Sequence, residues 1–352
     1  MGLGTNQTTI TTSATFIPEL WSDDVIAAYK QKLVLGNLVT KMSFKGKKGD
    51  TLHLPVPARG EASVKAANTQ VTLIADTAGD IAVLVDKHFE YSKLYEDLAE
   101  MQALTSMRRF YTDDAGFALA KRIDRHLHML GASFNGGTIA TATALYEAGF
   151  IGSTGTTAFS GAANTNTGNG TALADAGLRA LIQRLEDSDV DSSELSLVIP
   201  PVEAKSLRGI ARFTEQAFVG GNDNKDGGTI RTGRLGNLYG VEIFTSTNCP
   251  FIHVNSVTGT QSVTFTSATP TGASFSDEFG LTVDWNTTSP TSTKYRACLL
   301  VHKDSMVLAT QQSIRTQSQY KQEYLGTLVT ADCVYGVKEL RDGFAVAAIV
   351  PA

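Results

Sequence analysis

The apolar positions of this chain change their period several times, and each change marks an element. Leu20, Trp21, Val25, Ala28, Tyr29 and Leu33 recur every three or four residues, which predicts a short amphipathic helix. Asp23 and Asp24 early and Lys30 and Lys32 late suit its dipole, and Gly36-Asn37 is the expected stop. From there to residue 91 the period drops to two. Leu52, Leu54 and Val56 alternate with Thr51, His53 and Pro55, a half-buried strand that its prolines confine to an edge. Asp80–Tyr91 reads as a second strand, and 59–68 between them holds few large apolar groups. The pair predicts a long hairpin. Such a hairpin is marginal alone in water and needs something to lie on.

Helical spacing returns with Leu94, Leu98, Met101 and Leu104 over Ser92–Thr105, and again over Ser106–Phe134. In the second helix Ala115, Leu119, Ile123, Leu127 and Leu130 form one stripe. Lys121, Asp124, Arg125 and His128 fall largely on the other side, and Gly131 and Gly136-Gly137 are stop signals. Residues 136–171 are Gly- and Thr-rich and read as strands and turns. Ala172–Glu186 and Val202–Phe213 read as helices around a short buried strand, Leu195–Pro201. Tyr239–Thr245 is a further strand after a Gly/Asp/Asn loop at 220–236, and Tyr295–Leu308 and Thr327–Val350 supply more. The pattern is that of an α+β protein.

Composition changes this picture at two places. Residues 1–18 are mostly Gly, Thr, Ser and Asn, too polar to offset the entropy of ordering by themselves. Pro250–Thr293 contains no Lys or Arg and is rich in Thr and Ser. Its alternation around Val263 and Leu281–Trp285 predicts an inserted unit of short antiparallel strands. Elsewhere the length of 352 residues suits two domains or one elaborated one, and the chain is low in charge at 18%. A net charge of −5 argues against dedicated, sequence-specific nucleic-acid binding. No apolar run reaches the length of a membrane span, and the first residues do not read as a signal peptide.

Candidate chemistry is sparse. Cys249, Cys298 and Cys333 are widely spaced and predict buried thiols rather than a disulfide or zinc framework. His126 and His128 point about 200° apart on a helix and cannot share a metal there, which predicts one packed and one solvated histidine. Gly220–Gly228 lacks both the phosphate-loop and the calcium-loop spacing, and reads as a surface loop. No GxSxG elbow is present. No catalytic, cofactor or metal site is expected.

The order of these parts resembles the major capsid protein of a tailed bacteriophage, the Hong Kong 97-type shell subunit. Three passages carry the resemblance. They are Gly49–Pro57 through Tyr91–Asp97, Val198–Leu207 leading to Gly233–Phe244, and His302–Ala309 through Leu328–Lys338. The resemblance implies an N-terminal arm at 1–19 and a helix with extended loop at 20–91. It implies a peripheral domain with a spine helix at 92–150 plus 326–352, and an axial domain at 151–325 carrying the insertion at 250–293. It implies a non-enzymatic shell subunit that assembles with itself into pentamers and hexamers around double-stranded DNA. It also implies a place in the virion after assembly in the host cytoplasm, with a scaffolding protein, a portal and a cement or decoration protein as partners, and no membrane. The insertion departs from the shorter connection of that family, as a decoration site or as an elaborated loop. Intersubunit contacts are expected at Lys45, Lys47, Lys48, Asp50, Arg59, Glu61 and Lys65, around the hairpin. On the residues alone two other classes stay open. One is an α/β enzyme, a hydrolase or sugar-active protein with its site at 220–236; the other is a β-rich fibre or adhesin.

Overall fold

The computed structural model describes residues 33–43, 49–56, 60, 62, 64–71, 73, 79–97, 107–132, 150–155, 161–162, 165–168, 171–210, 235–257, 260–266, 275–276, 282–283 and 294–351. In chain order the first elements are α1 (Leu35–Leu38), β1 (Thr40–Ser43), β2 (Thr51–Val56), β3 (Gly79–Leu84), β4 (Lys87–Glu96) and the long helix α2 (Met107–Ala132). Then come β5 (Phe150–Gly152), β6 (Gly161–Ala162), β7 (Thr165–Gly168), α3 (Asp175–Glu186), β8 (Leu195–Ile199) and α4 (Pro201–Arg208). The strands β9 (Asn237–Leu238), β10 (Val241–Thr245), β11 (Phe251–Val257), β12 (Thr260–Thr266), β13 (Phe275–Ser276) and β14 (Thr282–Val283) follow. The chain ends on β15 (Lys294–His302), β16 (Met306–Lys321), β17 (Gly326–Glu339) and β18 (Ala345–Pro351).

Two sheets organise these elements. The smaller runs β1-β16-β17-β4. The larger has eight strands, with β12-β11-β15-β8-β10-β9 in line and β18 and β5 beside β15. Along one edge β15 pairs with β18 from Tyr295 to Val301; its other edge is shared by β11 at its start and β8 at its end. The apolar runs at 297–301 and 345–350 follow from this placement, because both faces of these central strands are covered. Ala297, Leu299, Val301, Ala345, Ala347 and Ile349 face one core, which α2 fills with Ala115, Leu119, Leu127 and Leu130. Cys298, Leu300, Val346, Ala348 and Val350 face a second core under α3 and α4.

The helix α2 also packs on the smaller sheet through Ala331, Cys333 and Tyr335, so it is the seam between both sheets. That position explains a departure from the sequence reading. Asp124 and His128 were expected on a polar side, and one histidine in water. Asp124, His126 and His128 are all buried, because α1 and two sheets surround this helix.

Four other expectations are corrected. Ser92–Glu96 continues β4 against β17 instead of starting a helix, since Phe89, Tyr91, Lys93 and Tyr95 alternate toward α2 with period two. Asp97 begins helical structure, and 98–106 lie outside the described residues. The strand expected at 80–91 breaks at Val85-Asp86 and passes from one sheet to another. Gly36 and Asn37 sit inside α1 rather than ending a helix, and residues 20–32 lie outside the described set. The C-terminal segment divides: β17 belongs to the smaller sheet, whereas β18 lies in the larger one with the strands assigned to the axial domain.

Expected elements also hold. The hairpin forms from β2 and β3 with Pro55 opposite Asp80, in a two-stranded ribbon where a proline has no second neighbour to serve. The insertion at 250–293 holds β11–β14 in antiparallel pairs. All three cysteines are free and buried, and burial pushes the Cys249 thiol up to about 12. No helix of the described residues is long and apolar enough to cross a membrane.

Candidate assembly surface

The base of the β2–β3 hairpin is anchored by packing. Val83 and Val85 pack on Val307 and Ala309 of β16, with Leu52, Leu54, Ile81 and Met42 around them. The backbone closes the base, where the Val85 amide donates to the Asp50 carbonyl at 2.7 Å. Beyond that base the described residues form no buried cluster: Val56, Val64, Val71 and Leu73 are exposed, Val64 and Leu73 almost fully at 101% and 88%. The described part of the ribbon thus shows several apolar side chains to water, and it turns near Ala66–Asn68.

Across this ribbon the Nδ1 of His53 lies 2.5 Å from an oxygen of Asp80, both side chains half in water. Of the expected contact residues, Asp50 is exposed at the hairpin base and Lys65 is exposed toward its turn. They do not meet. Lys45, Lys47, Lys48, Arg59 and Glu61 lie outside the described residues. The apolar set Val64, Val71 and Leu73 was missed by a reading that looked for charges. Its signal was present, as isolated large apolar groups in a polar stretch.

A second exposed region is the far half of β16, where residues 313–320 are exposed on both faces. Only residues 307–310 of β16 pair with β1, so beyond Thr310 that edge has no strand among the described residues. The sheet is braced there from its face. Arg315 donates to both oxygens of Asp332 through Nε at 2.8 Å and Nη2 at 3.0 Å, and Gln312 Nε2 donates at 2.7 Å. With His88 also within 3.3 Å, the Arg315 guanidinium and these donors hold the Asp332 carboxyl down to about 2. At the tip Tyr320 donates to Asp97 at 2.8 Å, which ties the end of β16 to the end of β4.

Among the described residues the buried ionisable groups Glu203 and His126 lie in separate parts of the fold. Glu203 accepts from the Leu173 amide at 2.9 Å, joining α4 to the start of α3, and burial raises its carboxyl. His126 meets the Tyr335 hydroxyl at 2.8 Å, inside the seam between α2 and β17. Among the described residues no three His, Cys, Asp or Glu side chains are placed to hold a metal ion. The enzyme reading rested on 220–236, of which only Leu235 and Gly236 are described.

No family model matches the chain, and no curated sequence matches it. Its fold is matched from end to end. A capsid structure of the cyanophage P-SCSP1u superposes with a TM-score of 0.67 at 17% identity, over 99% of this chain and 97% of that one. The chain has the fold of a phage capsid subunit. A structure from Mycobacterium phage Che8 gives a TM-score of 0.63 at 19% identity, covering 95% of this chain and 97% of that one. A capsid of the Helicobacter pylori bacteriophage KHP30 gives 0.67 at 11% identity over 99% of both chains. At these identities the capsid-subunit architecture is shared while nearly every side chain differs, so the surfaces must be read from this chain's own residues.

Proposed function

We propose that this chain is the structural subunit of an icosahedral phage head, assembling into pentamers and hexamers that enclose a double-stranded DNA genome. The observation that carries this reading is the hairpin with exposed Val64, Val71 and Leu73, set on a fold matched along its whole length by capsid subunits. A neighbouring copy covers that hairpin. Head-to-tail contacts of this kind close into rings, and each copy orders what the next cannot order alone. The division into arm (1–19), helix and extended loop (20–91), peripheral domain and axial domain is part of this proposal, with β18 assigned to the axial sheet. A shell contact of this class buries roughly 2,000 Å² or more per pair. A net charge of −5 keeps packaged DNA from adhering to the wall.

Scaffolding and portal proteins are the expected partners during assembly in the host cytoplasm, and a decoration protein fits the insertion at 250–293. The subunit acts by contact and needs no catalytic residue or cofactor. Deleting residues 58–68 tests the central claim. The deletion chain should keep its folded core by circular dichroism and form no shells by negative-stain microscopy, alone or with scaffold. Shells of unchanged stability from that deletion, or a folded full-length monomer that never assembles, would sink the reading.

A further inference from the structure

The first turn of α1 has no cap of its own, because Val34 stands at the N-cap position where a Ser, Thr, Asp or Asn would serve. The cap comes from another helix. Asp124 of α2 reaches the turn, and its Oδ1 accepts from the Val34 amide at 3.2 Å and the Gly36 amide at 3.3 Å. Its Oδ2 accepts from Asn248 Nδ2 at 2.7 Å. Asn248 belongs to the loop between β10 and β11, held in turn by Ser246, whose amide donates to the Ile199 carbonyl of β8 at 2.9 Å. One carboxylate therefore joins the chain at 34–36, the seam helix and the larger sheet. Most of it is buried: Val34, Asp124, His128 and Asn248 are each 5% exposed or less, and Gly36 is half-buried.

His128 completes the junction one turn along α2. Its Nδ1 donates to the Asp124 carbonyl oxygen at 2.7 Å and lies 3.4 Å from Oδ2. The other ring nitrogen, Nε2, is buried without a hydrogen-bond partner among the described residues, as is Asn248 Oδ1. The donor role of Nδ1 leaves Nε2 as the bare nitrogen of a neutral ring. A proton there would be a buried N–H cation with no acceptor among the described residues.

We propose that Asp124 is a latch joining residues 34–36 to the seam helix and to the 246–249 loop, and that protonation of His128 opens it. The ionisable groups acting on the ring are Asp124 and Arg125 of its own helix; Cys249 on the loop interacts with Asp124, with Arg296 of β15 beside Cys249. Asp124 favours a charged ring, but its two oxygens already accept three N–H donors, and Arg125 opposes it. Burial, with Arg125 acting in the same direction, outweighs Asp124 and the hydrogen bond to its carbonyl and holds the His128 imidazole below the ordinary histidine range. The closed latch thus contains a neutral ring. Opening admits water, returns the ring to its ordinary range near ~6.5, and takes up about one proton below that pH. Acid therefore favours opening, and the latch is a property of the single subunit, independent of shell formation.

The test is native-state hydrogen exchange of the Val34 and Gly36 amides in the full-length chain between pH 7 and pH 5, corrected for intrinsic exchange. Protection should fall as pH falls, approaching about tenfold per unit at the acid end. His128→Asn keeps an N–H donor but does not titrate; it should keep protection at pH 7 and lose the pH slope. Asp124→Asn should lose protection at every pH. If that variant fails to fold, Asn248→Ala removes one arm of the latch and should lower protection at Val34 and Gly36 more than at β18. A pH slope that survives in His128→Asn, or protection unchanged in both Asp124→Asn and Asn248→Ala, overturns the proposal.

Discussion

Gly336 of β17 lies so close to Leu84 of β3 that a β-carbon on it would stand 2.1 Å from the Leu84 carbonyl oxygen. The hairpin crosses the smaller sheet at this point. Its last residues, Leu84 and Val85, pass over β17 backbone to backbone, and the missing side chain of Gly336 is the space they use. The direction in which the hairpin leaves the subunit is therefore set by a residue some 250 positions later in the chain.

Gly336→Ala should consequently act on the hairpin before it acts on the cores. The opposing atom is backbone, so relief requires a shift of the strand rather than a rotamer change, at about 1–3 kcal/mol. A lowered urea midpoint should be accompanied by loss of protection at Val83 and Val85. Gly36→Ala is the control, because nothing lies within 4 Å of its β-carbon position and alanine suits a helix better.

The ion pair Arg315–Asp332 should matter in one window of pH. The Asp332 carboxyl is held down to about 2 in the folded chain, against an ordinary ~3.9. A depressed carboxyl contributes stability that is present above its unfolded value and is lost as pH falls through its folded value. Arg315→Ala should therefore be less stable than the parent chain above about pH 4, and the gap should close toward about pH 2. Paired thermal melts read this, and an undiminished gap at pH 2 would place the effect in packing. High salt should narrow the gap, since both groups reach solvent.

His126 titrates with the opposite charge but the same direction of loss. Burial, followed by repulsion from Arg122 and Lys87, lowers its imidazole to about 3. A histidine kept neutral by folding contributes stability above its ordinary ~6.5 that is lost as pH falls toward the folded value. NMR should find the His126 ring uncharged at pH 5. Tyr335→Phe removes the hydroxyl at its Nδ1 and leaves a buried nitrogen without it, costing about 1–3 kcal/mol with no change in shape.

How much of this was legible beforehand depends on the range of the interactions that decided it. The long helix, the hairpin strands and the runs at 195–199 and 241–245 were readable because local period and burial agree there. Ser92–Glu96 was misread because Leu94 fits a helical stripe, whereas its pairing with Leu328 is made over two hundred residues away. Asp124 and His128 were misread for a related reason. Helical periodicity gives one wet side, and nothing in the local sequence shows that α1 and the 246–249 loop close over it. The fold was legible through the order of its parts; of the charged residues expected at the hairpin only Asp50 and Lys65 are described, beside its exposed valines and leucine.

The insertion at 250–293 cannot be exchanged as a whole for a short Gly/Ser link. Phe251, Ile252 and His253 of β11 pair with Arg296, Tyr295 and Lys294 of β15, and the Pro250 carbonyl accepts from the Ala297 amide at 3.2 Å. Removing them would strip a partner from a central strand of the larger sheet. The described residues within 258–291 carry no such pairing to β15. Replacing only 258–291 should preserve the fold, because the entropy of closing a loop changes slowly with its length. The shorter deletion should melt close to the parent chain, whereas loss of 250–293 should lower the midpoint and expose β15 to exchange. If 258–291 face outward from a shell, particles built from the shorter chain should also keep their diameter and lose early protease cleavage in this region. Failure of that chain to form particles, with its monomer fold intact, would identify 258–291 as a contact between subunits.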